Sequence, residues 1–475
     1  MEKNNIDTTQ IKDLPTAIQI IESLLEENRI LKERIIKLEE EVARLSKNSK
    51  NSSKPPSSDI VKKPQELRQP GKRKIGAQKG HKGNKRNPIP PEQIDFTKKL
   101  ELSHCPDCGH SMESSQTHPE VLIQQVIELP EKPVIVTEYQ RYGKFCEHCQ
   151  KYHYPALPKG VIENQLLGAR LQAFTGYLRG NLFASYTKIT ELFKDVFHHS
   201  VSRGLIENTV HRNSKALLIP YQQLQHHLKK EKHLKIDESG WFNNGDLLWT
   251  WVFCTKQFDF FTIDKSRGSK VLKRILTENF SGSITSDFYS AYVKFANPNQ
   301  QFCLAHLIRD IKYLSTLPYE TAKKFSQDLL SCMRKIFEIW HERENLTSPE
   351  FSDRSNALVA QISDIINKFT TLPNAANKIV KRMKKHWNAL WRFLSSPDVF
   401  EPTNNLAERA IRPISILRKI TQGSRSLWGR AWTERIMSVL GTCKKQARSS
   451  WDFLCSAINA LYFKDPFPSL LPDGG

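Results

Sequence analysis

Between residues 18 and 46, apolar side chains return every seventh position. Leu24, Leu31, Leu38 and Leu45 mark one register, and Ile21, Asn28, Ile35 and Val42 stand three residues before each. These are the d and a positions of a coiled coil. No Pro or Gly interrupts them, so one long helix is predicted. Asn28, alone at an a position, favours a two-stranded pair in register, and Glu27–Lys32 and Arg34–Glu39 would attract across a parallel dimer. Residues 1–50 are therefore expected to pair as a homodimer. The competing reading is an amphipathic helix packed on its own chain.

The pattern then disappears. SKNSKNSSKPPSSD reads as a linker, and residues 51–100 carry too few apolar positions to build a core. Within them Lys72, Arg73, Lys74, Lys79, Lys82, Lys85 and Arg86 are dense enough for phosphate contact. Such contacts give affinity with little base specificity.

Two strand-like runs follow, VLIQQVIELP and PVIVTEYQRY, flanked by Cys105-Pro-Asp-Cys108 and Cys146-Glu-His-Cys149. Two CxxC knuckles around a β-hairpin describe a zinc ribbon over residues 101–160. Four thiolates close a tetrahedral shell, so one structural Zn²⁺ is expected, with redox chemistry as the alternative. His104, His110, His148 and His153 read as exposed polar residues. Residues 161–228 read as helical. YTKITELFKDVF and HHSVSRGLIENTVHRNS have helix–turn–helix spacing, with Ser202 capping a second helix that carries Arg203, His211 and Arg212. Plain helical packing accounts for the same pattern.

From residue 231 the alternation turns to period two. HLKIDESGW, LLWTWVFCT and FDFFTID predict three strands, SKVLKRILTENF a helix, GSITSDFYSAY a fourth strand and QQFCLAH a fifth. The order β-β-β-α-β-α-β is that of a ribonuclease H-like fold, in which the first and fourth strands are neighbours. By that analogy Asp237 and Asp287 meet. A single Asp at a strand end is ordinarily a turn or cap residue; the pair, each in an otherwise apolar strand, points to metal chemistry. Two closely spaced cations need more than two acids. Glu238 is expected on the opposite face of its strand. Residues 313–398 read as an all-helical insertion. In TNNLAERAIRP, Asn405 and Glu408 have capping-box spacing, with Pro413 closing the helix, yet Glu408 is also the third acid on offer. Asn404, Glu408 and Arg412 share one helical face.

Composition narrows the partners. Lys and Arg number 71 against 50 Asp and Glu, a net charge of +21 over 475 residues, which favours a polyanion, most often nucleic acid. Hydrophobic residues make up 39%, enough for a sizeable core. No apolar run reaches ~18 residues, so a membrane span is not expected. MEKNNIDTTQ lacks an apolar signal core, and the nine cysteines read as thiols and metal ligands, so a cytoplasmic location is expected.

The zipper, NSSKPPSSD, GAQKGHKG, the CxxC pair, KIDESGW, SDFYSAY, CLAH and NNLAERAIRP followed by RK together resemble the insertion sequence 66 family of bacterial transposases. The resemblance covers nearly the whole chain. It implies an α/β (α+β) ribonuclease H-like catalytic core, residues 229–312 and 399–475, interrupted by the insertion. It implies a DDE triad of Asp237, Asp287 and Glu408 working with two Mg²⁺ (or Mn²⁺) ions, and binding to terminal inverted repeats and target DNA near the nucleoid. Water would cut the element end and the freed 3′-OH would attack target DNA. Cys303-Leu-Ala-His306 looks like the C-x-x-H signature of several DDE families. Core packing and a site-ordering role both fit it. Lys265, Arg267, Arg409 and Arg412 are candidate phosphate clamps. Accessory proteins of the same element are possible partners. The rival readings are a metal-dependent nuclease without joining activity and a catalytically inactive DNA-binding regulator.

Overall fold

The computed structural model describes residues 13–48, 51–52, 87–113, 121–295, 299–369 and 371–471. Lys72, Arg73, Lys74, Lys79, Lys82, Lys85 and Arg86 lie outside these. The chain divides into two compact units, Val61–Tyr139 and the remainder, Met1–Ile60 with Gln140–Gly475.

In the smaller unit, Cys105 starts a tight turn: its carbonyl accepts from Gly109 N (2.9 Å) and its N–H donates to His110 O (2.8 Å). Gly109 has φ +72°, a conformation glycine adopts without strain. The two strand-like runs do not pair as strands. Leu122 and Ile135 are more than nine-tenths exposed. β-branched residues favour extended backbone, but a ladder needs a partner edge and a layer to bury its apolar face. The strands here are shorter and later: β1 (Lys144–Cys146) and β2 (Lys151–His153), paired antiparallel in the larger unit.

The larger unit begins with α1 (Leu14–Leu45), the single helix that the heptads predict. Its a and d side chains are exposed, Leu31 by 53% and Leu38 by 57%. Its last turns touch the rest of the unit: Ala43 is buried, and Tyr319 donates to Glu40 at 2.9 Å.

Helices α2 (Ala169–Gly180), α3 (Tyr186–Asp195), α4 (Arg203–Ala216) and α5 (Leu218–His227) follow. Ser202 caps α4 by accepting from Leu205 N (3.1 Å).

Next comes the sheet: β3 (His233–Asn243), β4 (Asp246–Cys254), β5 (Asp259–Asp264), α6 (Lys270–Leu276), β6 (Ser283–Ser286), α7 (Ser290–Phe295) and β7 (Gln300–Phe302). The spatial order is β5-β4-β3-β6-β7. The β3–β4 and β4–β5 pairs are antiparallel, while β6 runs parallel to both β3 and β7. The sheet is thus mixed, and β3 lies beside β6.

Five helices come between β7 and residue 400: α8 (Leu304–Leu314), α9 (Glu320–Glu342), α10 (Ser348–Lys368), α11 (Asn374–Lys385) and α12 (Trp387–Ser395). They enclose a core of their own around Phe325, Met333, Ile362 and Phe393. The chain then returns to the sheet with α13 (Asn405–Thr421), α14 (Leu427–Lys445) and α15 (Ser450–Phe463).

Helix α14 shields the sheet edge. Asp259, Phe261 and Ile263 donate their outward N–H groups to Thr442 (3.1 Å), Ser438 (2.9 Å) and Glu434 (2.6 Å), side chains four residues apart on one helical face. A β5 edge satisfied in this way cannot recruit another strand.

Two expectations for the last segment change. Pro413 lies inside α13, which runs on to Thr421. An internal proline costs about 3 kcal/mol, and burial of Ile411, Ile414 and Leu417 against the sheet offsets it. No capping box forms either. Asn404, not Asn405, is the N-cap residue, and its side chain caps nothing.

Candidate active site

The sheet register sets the first two acids level. Lys235 pairs with Thr285, and continuing two residues along each parallel strand sets Asp237 beside Asp287. Asp237 lies within β3; Asp287 follows the last residue of β6 and accepts from Tyr289 N (2.8 Å) in the turn into α7.

Asn404 brings the third acid. Its Nδ2 donates to Ile236 O (2.8 Å), the carbonyl next to Asp237, and its own N–H donates to Cys303 Sγ (3.2 Å). Leu304 N donates to Pro402 O (2.8 Å). These bonds tie the start of α13 to β3 and to the start of α8. Glu408, one turn into α13, adds its charge to those acting on Asp237 and Asp287.

Burial and mutual charge both act on the acids. Burial holds the Asp237 carboxyl well above the usual aspartate range, and the charges of Glu238, Asp287 and Glu408 push the same way. Asp287 is raised to about 7 by burial and by Glu238, against the opposing pull of Tyr289 N–H and Arg267. Crowded carboxylates of this kind favour a cation among them. One oxygen of Glu408 is buried with no hydrogen-bond partner. An all-oxygen donor set with that deficit fits hard divalent cations such as Mg²⁺.

Glu238 departs from the alternation argument. It does not turn away from the acids but lies buried beside Asp287. β6 pairs with β3 only as far as Lys235, so the strand edge is open where Asp237 and Glu238 sit. Arg267 donates to Glu238 Oε1 from Nε (3.0 Å) and Nη2 (2.9 Å), and Tyr292 donates its hydroxyl to Oε2. The Arg267 guanidinium stacks between Tyr289 (4.0 Å) and Trp249 (4.3 Å). Arg267, a candidate phosphate clamp, is thus engaged in an internal ion pair. Lys265, Arg409 and Arg412 are exposed. Sequence reasoning missed this network; its only signal was a second acid in an otherwise apolar strand.

Cys303, the residue before α8, and His306, on its first turn, adjoin Glu408. The three offer ligand atoms within 4.8 Å of one another. His306 is held near 4 by burial and by Arg309 and Arg382, which keeps it neutral. Burial pushes the Cys303 thiol up to about 11.

The cysteine knuckles share one local geometry. Cys105 is lowered by N–H groups of Cys108 and Asp107, and Cys146 by those of Cys149 and His148. N–H groups aimed at sulfur stabilise thiolate, the form that binds metal. His153 Nε2 lies 3.0 Å from Cys149 Sγ.

Fold and site together define a mixed α/β protein with an acid cluster at the junction of two parallel strands and a returning helix. The profile of the Transposase IS66 family matches residues 164–431, just over half of the chain and inclusive of all three acids. The chain belongs to that family. A family of unknown function (DUF6444) matches residues 4–87. An uncharacterized protein, y4qI, of Sinorhizobium fredii (strain NBRC 101917 / NGR234) is 26% identical over 223 residues, which cover 42% of this chain and 40% of that protein.

Proposed function

We propose that the protein is a DNA transposase of the DDE type, with Asp237, Asp287 and Glu408 as the catalytic acids. The observation that carries the reading is the approach of these three carboxylates, from β3, the end of β6 and α13, in a chain of a transposase family. The sheet order, with β3 beside β6 and helices returning after an insertion, supports a ribonuclease H-like core. The raised aspartates and the Glu408 oxygen that makes no hydrogen bond support two Mg²⁺ (or Mn²⁺) ions held by the triad. Bound there, the cations would supply charge neutralisation at the scissile phosphate and lower the pKa of the attacking hydroxyl.

The chain's own residues do the rest. Asp237 and Asp287, fixed by the sheet register, hold their oxygens without cost of reorganisation. Asn404 orients the helix that carries Glu408. Arg267 and Tyr292 hold Glu238 beside the two aspartates, where its charge adds to theirs. Arg409 and Arg412, exposed on the same helix as Glu408, are suited to DNA phosphates. The reaction is hydrolysis of a phosphodiester at the element end, then in-line attack of the freed 3′-OH on target DNA.

Two accessory features support the reading. The exposed apolar stripe of α1 suits a homodimer that holds two element ends. Each CxxC knuckle, Cys105 with Cys108 and Cys146 with Cys149, offers two thiols of the kind a structural Zn²⁺ takes. Residues 1–225, including the basic stretch and the α3–α4 pair, are assigned DNA contact, which predicts a salt-dependent affinity.

The test is Mg²⁺-dependent cleavage and joining on DNA bearing the terminal repeats that flank the gene. Wild type should nick the ends and join pre-cut ends to a target, and Glu408→Ala should do neither while still binding DNA. Cleavage without joining would leave a nuclease. Equal activity in both proteins would remove Glu408 from the reaction.

A further inference from the structure

We propose that Cys303, His306 and Glu408 form a site for one thiophilic divalent cation, Zn²⁺ being the probe, whose binding takes Glu408 away from the carboxylate site. The consequence for activity rests on the function proposed above; the site itself does not.

Three donors of different kinds converge: a sulfur, an imidazole nitrogen and a carboxylate oxygen, all within 4.8 Å. Neighbouring ligands in a tetrahedral zinc shell lie about 3.3–3.8 Å apart, given Zn–S and Zn–N bonds of about 2.3 and 2.0 Å. The His306–Glu408 pair already has that spacing, and the Glu408 side chain, a third exposed, is free to adjust. His306 Nδ1 and Glu408 Oε1 are both buried without hydrogen-bond partners, and they face each other at 3.6 Å. That separation is too long for a hydrogen bond and suits an ion between them. The other ring nitrogen, Nε2, faces Arg309 Nη2 at 3.5 Å, so Nδ1 is the nitrogen left for metal. Arg309 also lies 3.6 Å from Glu408 Oε1 and is the group an incoming cation must displace.

Cys303 is prepared for the ligand role. It precedes the eleven-residue α8. Its sulfur accepts the Asn404 N–H at 3.2 Å, and the N–H groups of His306 and Ala305 also point to it. Such donors stabilise the thiolate that metal binding creates. On binding, the thiol proton passes to solvent and the S–metal bond replaces the S–H bond. A thiolate–imidazole–carboxylate set selects zinc over magnesium, because Mg²⁺ prefers oxygen alone. Three protein ligands leave a fourth position for water. Glu408 cannot serve both sites, so zinc and the catalytic cations exclude each other.

The test uses the full chain, stripped of metal and titrated with Zn²⁺ and with Co²⁺. Bound metal per chain and the sulfur-to-cobalt absorption are the readouts. Cys303→Ser and His306→Gln should each bind one equivalent at least about 100-fold more weakly than wild type, since even the loss of outer-shell support weakens metal sites by ~10–100-fold. Cys105→Ser with Cys108→Ser should lose a different equivalent and keep this one. Unchanged stoichiometry and affinity in folded His306→Gln overturns the site, and this variant decides the matter if Cys303→Ser does not fold. In cleavage assays, Cys303→Ser should need at least about tenfold more Zn²⁺ than wild type for half-inhibition of its own Mg²⁺-dependent rate. A chain that binds zinc as described but never cleaves DNA refutes the transposase reading alone.

Discussion

Asp287→Asn should make the metal-free protein more stable, and the gain should grow with pH. In the folded chain Asp287 titrates near 7, against an ordinary 3.8, because burial and Glu238 disfavour its charge. The folded state therefore holds this proton more tightly than the unfolded state. Its stabilising contribution is complete below the ordinary value and is lost as pH rises through about 7. At ~1.4 kcal/mol per pKa unit, full ionisation costs the fold roughly 4 kcal/mol, of which about 2–3 kcal/mol falls between pH ~5 and ~8. Asparagine removes the charge and keeps an oxygen for the Tyr289 N–H. Urea unfolding in a chelator should show the variant ahead by roughly 4 kcal/mol at pH ~8 and by about 1–2 kcal/mol at pH ~5. Millimolar Mg²⁺ should then stabilise wild type and leave the variant nearly unmoved. If the variant is no more stable than wild type at the higher pH, Asp287 is not crowded by Glu238, and the cation site loses its main support.

Glu408→Gln keeps the side-chain shape and should lower Mg²⁺-dependent end cleavage by on the order of 10³-fold or more with DNA affinity retained; a loss below tenfold in single-turnover assays would speak against a catalytic role. Arg267→Met leaves the buried Glu238 carboxylate with Tyr292 alone and should cost about 2–4 kcal/mol, largely recovered by adding Glu238→Gln; the double-mutant cycle reads this, and additive losses would refute the pairing. Leu24→Ala, Leu31→Ala and Leu38→Ala together should convert a dimer to monomer in sedimentation with almost no change in the melting of the sheet, since all three side chains are exposed in the single chain. A triple variant that stays dimeric would move the interface elsewhere.

Much of the architecture was legible in local patterns. The seven-residue period predicted α1, and period-two alternation predicted the five strands and their order along the chain. Both signals are repeated within a window and state which face each residue occupies. Ser202 as the cap of α4 was legible because a cap is satisfied three residues away. What the tertiary structure decided lies between windows. The register Lys235–Thr285 sets Asp237 level with Asp287, and the bonds from Asn404 to Ile236 and Cys303 tie the start of α13, the helix of Glu408, to β3 and α8 from residues far apart in sequence. Alternation misjudged Glu238 because it knows the strand but not where the neighbouring strand stops. Pro413 was misread because its local penalty is offset by packing against a distant sheet, and the runs at 121–142 because β-propensity supplies no partner strand. Residue type and spacing determined which groups were available for chemistry. Only the packing of β3, β6, α8 and α13 determined which of them share a point in space, since that depends on long-range contacts that no short stretch of sequence carries.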